Sequence, residues 1–263
     1  VSFINYQNLE ELEATIKDNT AMIYIETPSN PLLKVSDIKA IVEIAKRHNI
    51  KTVADNTFMT ALYQKPLDLG CDIVIESLTK FVNGHSDVTA GCAVTNNEEI
   101  ADEICLLQKN FGGILGVEDA WLILRGMKTM GLRMEKSVEN AKILTKFLES
   151  QDKIKKVYYP NLTSCKFYDI HTEQASSGGA VFSFEFFEQA DLKIFLKKIK
   201  IPIYAISLGG VESIISHPAT MSHACMSEEE RLAQGVTQTL LRFSCGVEDS
   251  EDLIDDLKQA LNN

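Results

Sequence analysis

The chain has 263 residues, of which 45% are hydrophobic and 24% charged, and its formal net charge at pH 7 is −11. This length and composition predict a globular protein with a substantial core, either one large domain or two smaller ones. The negative charge argues against partners such as nucleic acid or anionic lipid, because the overall field repels their phosphates. No apolar run reaches the roughly 18 residues of a membrane span, and the first residues lack a signal-peptide pattern, so we expect a soluble cytoplasmic protein.

Strand and helix patterns alternate along the first half of the chain. Apolar residues at helical spacing predict a helix over residues 36–49, with Ser36 as its N-cap. Short apolar runs predict strands at residues 22–25, 52–54, 73–75 and 92–94. Strands separated by helix or turn signals are typical of βαβ units, so we predict an α/β fold with a parallel sheet that is covered on both faces.

A long helical pattern follows over residues 117–150, with possible interruptions at Gly126 and Gly131. Beyond it the pattern changes to strand, helix, strand and a capped final helix, at residues 180–186, 191–199, 240–243 and 250–261. We therefore place a domain change near residue 150. Residues 1–150 would form the larger domain and end in a bridging helix, and residues 151–263 would form a smaller carboxy-terminal domain.

Polar residues that follow two predicted strands indicate a cofactor site. Pyridoxal phosphate requires an amine that bonds to its aldehyde, an anion beside its ring nitrogen and hydrogen-bond donors for its phosphate. Lys80, Asp55 and the hydroxyls of Ser77 and Thr79 can supply these groups. If residues 77–79 are extended, both hydroxyls point to the same side, and strand ends of a parallel sheet converge on one crevice. The pattern predicts a pyridoxal-phosphate site.

Simpler interpretations exist for the same residues. A Ser-x-Thr-Lys segment is common by chance, and most lysines are solvated surface charges. Asp55 begins an Asp-Asn-Thr segment that is also good turn chemistry. The six cysteines show no Cys-x-x-Cys spacing, and no histidine is paired with cysteine or carboxylate at metal-ligand spacing. Buried reduced thiols and no metal site are therefore expected.

Several segments, in one order over nearly the whole chain, carry a specific resemblance. They are Glu26-Thr27-Pro28-Ser29-Asn30-Pro31, Ala54-Asp55-Asn56-Thr57, Thr79-Lys80, Gly84-His85-Ser86-Asp87, Trp121-Leu122-Ile123-Leu124-Arg125-Gly126, Ser207-Leu208-Gly209-Gly210 and Leu241-Arg242-Phe243-Ser244. The chain resembles the Cys/Met-metabolism family of pyridoxal-phosphate enzymes. The resemblance implies the fold-type I transferase-like fold, in which a large domain with a mostly parallel sheet precedes a smaller α+β carboxy-terminal domain.

The resemblance also implies how the cofactor is held. Lys80 would bond to the cofactor and later carry protons between substrate carbons. Asp55 would hold the proton of the ring nitrogen, Thr57 would support Asp55, and Ser77 and Thr79 would contact the phosphate. Asn30, otherwise a plausible loop-stabilising residue, would contact the phenolic oxygen of the cofactor and the substrate.

Three further residues are implied to contact the substrate. Arg242 interrupts an apolar strand-like run, where a guanidinium is costly unless it is paired. From the residues alone, an internal salt bridge is at least as good an explanation as a substrate carboxylate, and the resemblance favours the carboxylate, with Ser207 assisting. The preceding residue is Ile206, at a position where lyases of this family often carry glutamate.

The implied activity is a carbon–sulfur lyase that cleaves cystathionine. Alternatives within the family are γ-replacement, as in cystathionine γ-synthase or O-acetylhomoserine sulfhydrylase, and methionine γ-lyase activity, and an alternative of another class is a catalytically silent, partner-binding relative. The family likeness further implies a homotetramer built from dimers that share active sites. Because the likeness begins in the middle of the large domain, an amino-terminal third that carries other cofactor contacts is expected to be missing here.

Overall fold

The first of two β-sheets contains the four strands predicted in the first half of the chain. In the computed structural model, which describes residues 1–262, these are β1 (Met22–Glu26), β2 (Lys51–Asp55), β3 (Ile73–Glu76) and β4 (Cys92–Val94). They lie side by side in that order, with β1, β2 and β3 parallel. Glu26 and Asp55 are register partners at the ends of neighbouring strands, so their side chains emerge at the same edge.

The prediction that all four strands are parallel is wrong for β4, which pairs antiparallel with β3. Parallel neighbours need a long crossover, usually a helix, across the face of the sheet. Between β3 and β4 the chain forms only a short π-helical turn, Leu78–Val82, and loop. The prediction that both faces are covered is also wrong within residues 1–262, because Met22 and Tyr24 on one face of β1 are exposed.

The helices of the first half are α1 (Leu9–Thr15), α2 (Ile38–Arg47), α3 (Thr60–Tyr63) and α4 (Glu98–Phe111). Helix α2 was predicted, but its N-cap is Asp37, whose side chain accepts a hydrogen bond from the backbone N–H of Ala40 at 2.9 Å. Ser36 is instead buried, and its N–H donates to the hydroxyl of Thr27. Asp37 is the N-cap because the hydrogen bond to Thr27 holds Ser36 in the loop that follows β1.

The predicted long helix is two helices, α5 (Val117–Met127) and α6 (Met130–Glu149). The break falls at residues 128–129, just before Gly131, which lies within α6. Helix α6 contacts the Lys80 turn and also packs against elements that follow it. We propose that the domain boundary lies near residue 150, after this helix.

The second sheet and its helices make up the carboxy-terminal part. The strands are β5 (Ile154–Tyr158), β6 (Val181–Phe186), β7 (Ile203–Tyr204), β8 (Ile214–Ser216) and β9 (Leu240–Ser244), in the spatial order β5-β6-β9-β8-β7. The helices are α7 (Tyr168–Gln174), α8 (Gln189–Lys198), α9 (Glu228–Gln234) and α10 (Ser250–Leu261). The predictions of β6, α8, β9 and α10 are confirmed, with small shifts at the ends of all but α10.

Apolar packing joins the two parts beneath the Lys80 turn. Phe81 of that turn packs in one cluster with Phe58 from the first half, Met134 of α6, and Val181 and Leu208 from the second half. A separate core, rich in phenylalanine, lies between the second sheet and helices α6, α8 and α10. No helix within residues 1–262 is long and apolar enough to span a membrane.

Candidate functional site

A cavity of about 270 Å³ lies where the ends of β1, β2 and β3 face the loop before β8. Its lining includes every predicted site residue except Thr79, namely Asn30, Asp55, Thr57, Ser77, Lys80, Ile206, Ser207 and Arg242. These residues come from both halves of the chain, so the fold brings together side chains up to 212 positions apart. Within the described residues no cluster of histidine, cysteine or carboxylate side chains could hold a metal ion.

Lys80 lies in the middle of the π-helical turn, where its backbone has non-helical angles of φ −94° and ψ −132°. Its half-buried Nζ donates a hydrogen bond to the hydroxyl of Ser207 at 2.7 Å. Partial burial, and secondarily the charge of Arg242, lowers the pKa of Lys80 below its usual value. The lowered pKa increases the fraction of neutral amine, which is the form that attacks carbonyls and accepts protons.

Asp55 ends β2 and presents its carboxylate to the cavity. One oxygen accepts the backbone N–H of Thr57 at 3.0 Å, and the other accepts the hydroxyl of Tyr24 at 3.1 Å. Burial, followed by the neighbouring charge of Asp55, raises the pKa of Tyr24 to about 12, so the phenol stays a donor. The carboxylate has no ion-pair partner among residues 1–262. It is therefore oriented by two donors and available to a cationic group.

The two hydroxyls that follow β3 are not equivalent. Ser77 lines the cavity, and its N–H donates to Thr57 Oγ1, which ties the end of β3 to the end of β2. Thr79 donates its hydroxyl to the carbonyl of Ala90 and accepts the Ala90 N–H in return. The expected extended geometry of residues 77–79 is wrong because the π-helical turn begins at Leu78. A phosphate contact by Thr79 stays a prediction, and it would require its hydroxyl proton to leave Ala90.

Arg242 is almost fully buried, with 4% of its surface exposed, and burial lowers its pKa to about 10. Its guanidinium donates to Asn30 Oδ1 at 3.1 Å, to the carbonyl of Ser207 at 2.6 Å and to Ser216 Oγ at 3.1 Å. Its Nε has no partner, and no carboxylate pairs with it within residues 1–262. The alternative of an internal salt bridge is therefore absent from the described part of the chain.

Ser207 joins the lysine to the arginine. Its backbone is in the left-handed region, with φ +81°. Its hydroxyl accepts a hydrogen bond from Lys80 Nζ, and its carbonyl accepts one from Arg242 Nη2. The preceding Ile206 is 69% exposed at the edge of the cavity. A side chain in this position can contact a ligand without being part of the buried network.

Three polar neighbours of the site were not anticipated. Glu26 lines the cavity and accepts a hydrogen bond from the backbone N–H of Asn30. The hydroxyl of Tyr24 donates to Asp55. The hydroxyl of Ser216 accepts a hydrogen bond from Arg242. Tyr24 and Glu26 alternate with buried isoleucines along β1, so period-two alternation could have placed them on the face of Asp55. Ser216 lies opposite Arg242 in the β8–β9 register, and nothing local in the sequence indicates that pairing.

Comparison with known proteins identifies the class. The sequence model of the Cys/Met-metabolism family of PLP-dependent enzymes matches residues 1–262. The chain belongs to this family, whose cofactor is pyridoxal phosphate, and the α/β transferase-like fold expected from the resemblance is confirmed.

Individual relatives carry several activities. The chain is similar to the cystathionine beta-lyase MetC of Bacillus subtilis (47% identical; 99% of this chain, 67% of the relative) and to the cystathionine gamma-lyase of the same organism (43% identical; 100% and 69%). It is also similar to the crystal structure of cystathionine gamma-lyase from Lactobacillus plantarum complexed with L-serine (TM-score 0.96, 39% identical; 98% and 68%). The chain thus spans about two thirds of the length of each.

The residues around the cavity fit pyridoxal phosphate chemically. A half-buried amine with a lowered pKa, a carboxylate without an ion-pair partner and a serine hydroxyl line one cavity. A buried guanidinium with an unpartnered Nε borders the same space. These are the groups that the cofactor and an amino-acid carboxylate require.

Proposed function

We propose that the full-length protein is a pyridoxal-phosphate-dependent carbon–sulfur lyase that cleaves cystathionine. The observation that carries the proposal is the Lys80–Ser207–Arg242 arrangement, which joins a half-buried amine and a buried, carboxylate-free guanidinium through one residue. An α-amino acid presents its amino group and its carboxylate on one carbon, so it requires both groups side by side. The cystathionine lyases similar to this chain support the choice of substrate class.

The residues that would hold the cofactor follow from the chemistry of the cavity. Lys80 would bond to its aldehyde carbon, Asp55 would accept a hydrogen bond from its protonated ring nitrogen, and Ser77 would donate to its phosphate. Thr57 orients Asp55 through its own N–H, at 3.0 Å. When bound, pyridoxal phosphate supplies an electron sink that stabilises negative charge on the substrate α-carbon.

The chain's own groups would move the protons. Lys80, once released by the incoming substrate amine, would take the proton from the substrate α-carbon because its lowered pKa favours the neutral base. Arg242 would hold the substrate carboxylate and so direct that α-proton toward Lys80. For γ-elimination Lys80 would pass the α-proton to the cofactor carbon that carries the substrate nitrogen, and the neutral amine so restored would take a proton from the β-carbon.

The assay that tests the proposal measures the keto acid released from cystathionine by the full-length enzyme. Pyruvate indicates cleavage on the β side, and 2-oxobutyrate indicates cleavage on the γ side. Formation of either one, dependent on added pyridoxal phosphate, supports the lyase. Formation of neither, with turnover of an O-acylated homoserine and a thiol, would favour γ-replacement, and binding of the cofactor without any turnover would favour a silent relative.

The apolar Ile206 predicts weak discrimination for cystathionine, because it cannot pair with the distal amino group of that substrate. It also favours methionine, a less polar substrate, as the second candidate. We expect Ile206→Glu to raise the ratio of kcat/KM for cystathionine over methionine about two- to fivefold, the range for an exposed ion pair. The control is Ile203→Glu, at an exposed isoleucine of β7 outside the cavity lining. An equal change in both variants would argue that residue 206 does not face the substrate.

We also propose that the full-length protein is a homotetramer. Helix α4 has no buried residue, and apolar side chains project from it and from α5, among them Phe111, Val117 and Trp121, which are 85%, 89% and 59% exposed. Apolar surface on this scale is typical of a contact between proteins. We expect light scattering on the purified full-length enzyme to give four times the chain mass, and a monomer mass would contradict the proposal.

A further inference from the structure

The turn that carries Lys80 does not hold its shape by regular helical bonding. It is a single π-helical turn, Leu78–Val82, interrupted by the non-helical backbone angles of Lys80 itself. The direction of the lysine side chain therefore depends on what fixes the backbone on either side of it. Carbonyls at the end of such a turn lack intrahelical partners and need external donors.

Arg133 of α6 supplies those donors. Its Nη1 donates to the carbonyl of Phe81 at 2.9 Å, and its Nη2 donates to the carbonyls of Val82 at 3.1 Å and Gly126 at 2.9 Å. Its Nε donates to the hydroxyl of Thr129 at 3.1 Å. One guanidinium thus bonds two consecutive residues that follow Lys80 and also the last turn of α5.

Among residues 1–262 the charge of Arg133 is not used in an ion pair. The side chain is 8% exposed, and no carboxylate pairs with it anywhere in residues 1–262. Burial lowers its pKa below the usual value. A buried guanidinium that gains no ion pair is costly, and the partial negative charge of terminal helical carbonyls offsets only part of that cost.

Close approaches leave the turn little freedom. Gly84, with φ +73°, lies against the guanidinium, and a Cβ at this position would clash with Nη1 of Arg133. Gly209 also approaches the turn, so closely that a Cβ there would lie 2.6 Å from the backbone N of Phe81 and 2.9 Å from the carbonyl carbon of Lys80. The turn therefore contacts both the Ser207–Gly209 loop and Arg133, and neither contact leaves room for it to shift.

We propose that Arg133 is a positioning residue, which holds the Lys80 turn so that the lysine Nζ stays at the Ser207 hydroxyl and in line with the cofactor. Arg133 is absent from the lining of the cavity, so it acts through the backbone of Phe81 and Val82. The inference rests on the proposed role of Lys80 and goes beyond it, because it assigns a function to a residue outside the site.

The test measures how fast the full-length apoenzyme captures pyridoxal phosphate, followed by the visible absorption of the lysine-bound cofactor. We expect Arg133→Gln to slow capture at least about tenfold and to lower kcat about 10- to 100-fold with KM changed less than about threefold, as for a displaced reacting group. Arg133→Lys keeps the charge but cannot reach all three carbonyls, and we expect it to recover part of the capture rate.

The matched control is Asn140→Leu. Asn140 lies on the same helix, is fully buried and donates to two backbone carbonyls, those of Gly246 and Glu248, away from the Lys80 turn. The Asn140→Leu variant therefore measures the effect of losing two buried hydrogen bonds that do not involve the Lys80 turn. We expect it to lower the thermal midpoint as Arg133→Gln does while capture stays within twofold of the parent.

Two outcomes would overturn the inference. One is a capture rate in Arg133→Gln within twofold of the parent, and the other is equal slowing in Asn140→Leu. If Arg133→Gln does not fold, the same readouts on Arg133→Lys and Thr129→Val decide, and unchanged capture in both overturns the inference. Lys80→Ala is measured in parallel. A visible band that persists in that variant shows that the proposed function has failed, whereas loss of the band there together with parent-like capture in Arg133→Gln shows that only the role of Arg133 has failed.

Discussion

Replacing Lys80 by alanine in the full-length enzyme is expected to lower turnover by at least about 10³-fold and to abolish the visible absorption of the bound cofactor. The amine is at the same time the covalent anchor and the base that is proposed to move protons, so no neighbour can replace it. Its hydrogen-bond partner Ser207 is too weak a base, and Arg242 stays protonated at neutral pH. Absorption spectra and a keto-acid assay give the two readouts.

Lys34→Ala is the control for that experiment. Lys34 is also partly buried, burial also lowers its pKa, and its Nζ contacts the carbonyl of Gln234 outside the cavity. We expect it to keep both the absorption and most of the turnover. Circular dichroism of the two variants should match that of the parent. Turnover and visible absorption that persist in Lys80→Ala would refute the assignment of the site.

Local sequence signals predicted the elements whose apolar periodicity is strong. Helix α10 was predicted at its observed bounds as a capped final helix, and in the structure Asp249 caps it. The gathering of Asp55, Ser77 and Lys80 followed from the convergence of parallel strand ends. Helix α4 was missed although Ile100, Ile104, Leu107 and Phe111 recur at helical spacing, and within residues 1–262 this apolar face is not buried.

Features that depend on distant contacts could not be predicted in this way. Residues 77–79 were expected to be extended, and the actual shape of the turn at Lys80 is stabilised by Arg133 and Gly209, which are 53 and 129 residues away from Lys80. The antiparallel pairing of β4 with β3 likewise depends on the path of the loop between the Lys80 turn and β4. Arg242 and Ser207 were linked to the site only by family resemblance, because the β8–β9 pairing that orients them has no local signal.

Arg242→Gln is expected to lower kcat/KM for cystathionine about 10²- to 10³-fold, the cost of removing one partner from a buried, hydrogen-bonded charge pair. The thermal midpoint of the substrate-free enzyme measures the structural part of the change, because glutamine leaves Asn30 Oδ1, the Ser207 carbonyl and Ser216 Oγ without their donor. Arg242→Lys keeps a charge but lacks the planar guanidinium, and its kcat/KM for cystathionine should lie between those of the parent and Arg242→Gln.

The carboxylate contact itself can be isolated with a substrate in which the α-carboxylate is replaced by a carboxamide. The parent enzyme should have a kcat/KM for the acid that is about 10²- to 10³-fold higher than for the carboxamide. Arg242→Gln should nearly lose that preference, because it lacks the guanidinium that distinguishes the two substrates. Arg231→Gln is the control, because Arg231 bonds the carbonyl of Met226 outside the cavity lining. If Arg242→Gln still prefers the acid as strongly as the parent does, the guanidinium does not bind the substrate carboxylate, and its unpartnered Nε would need another explanation.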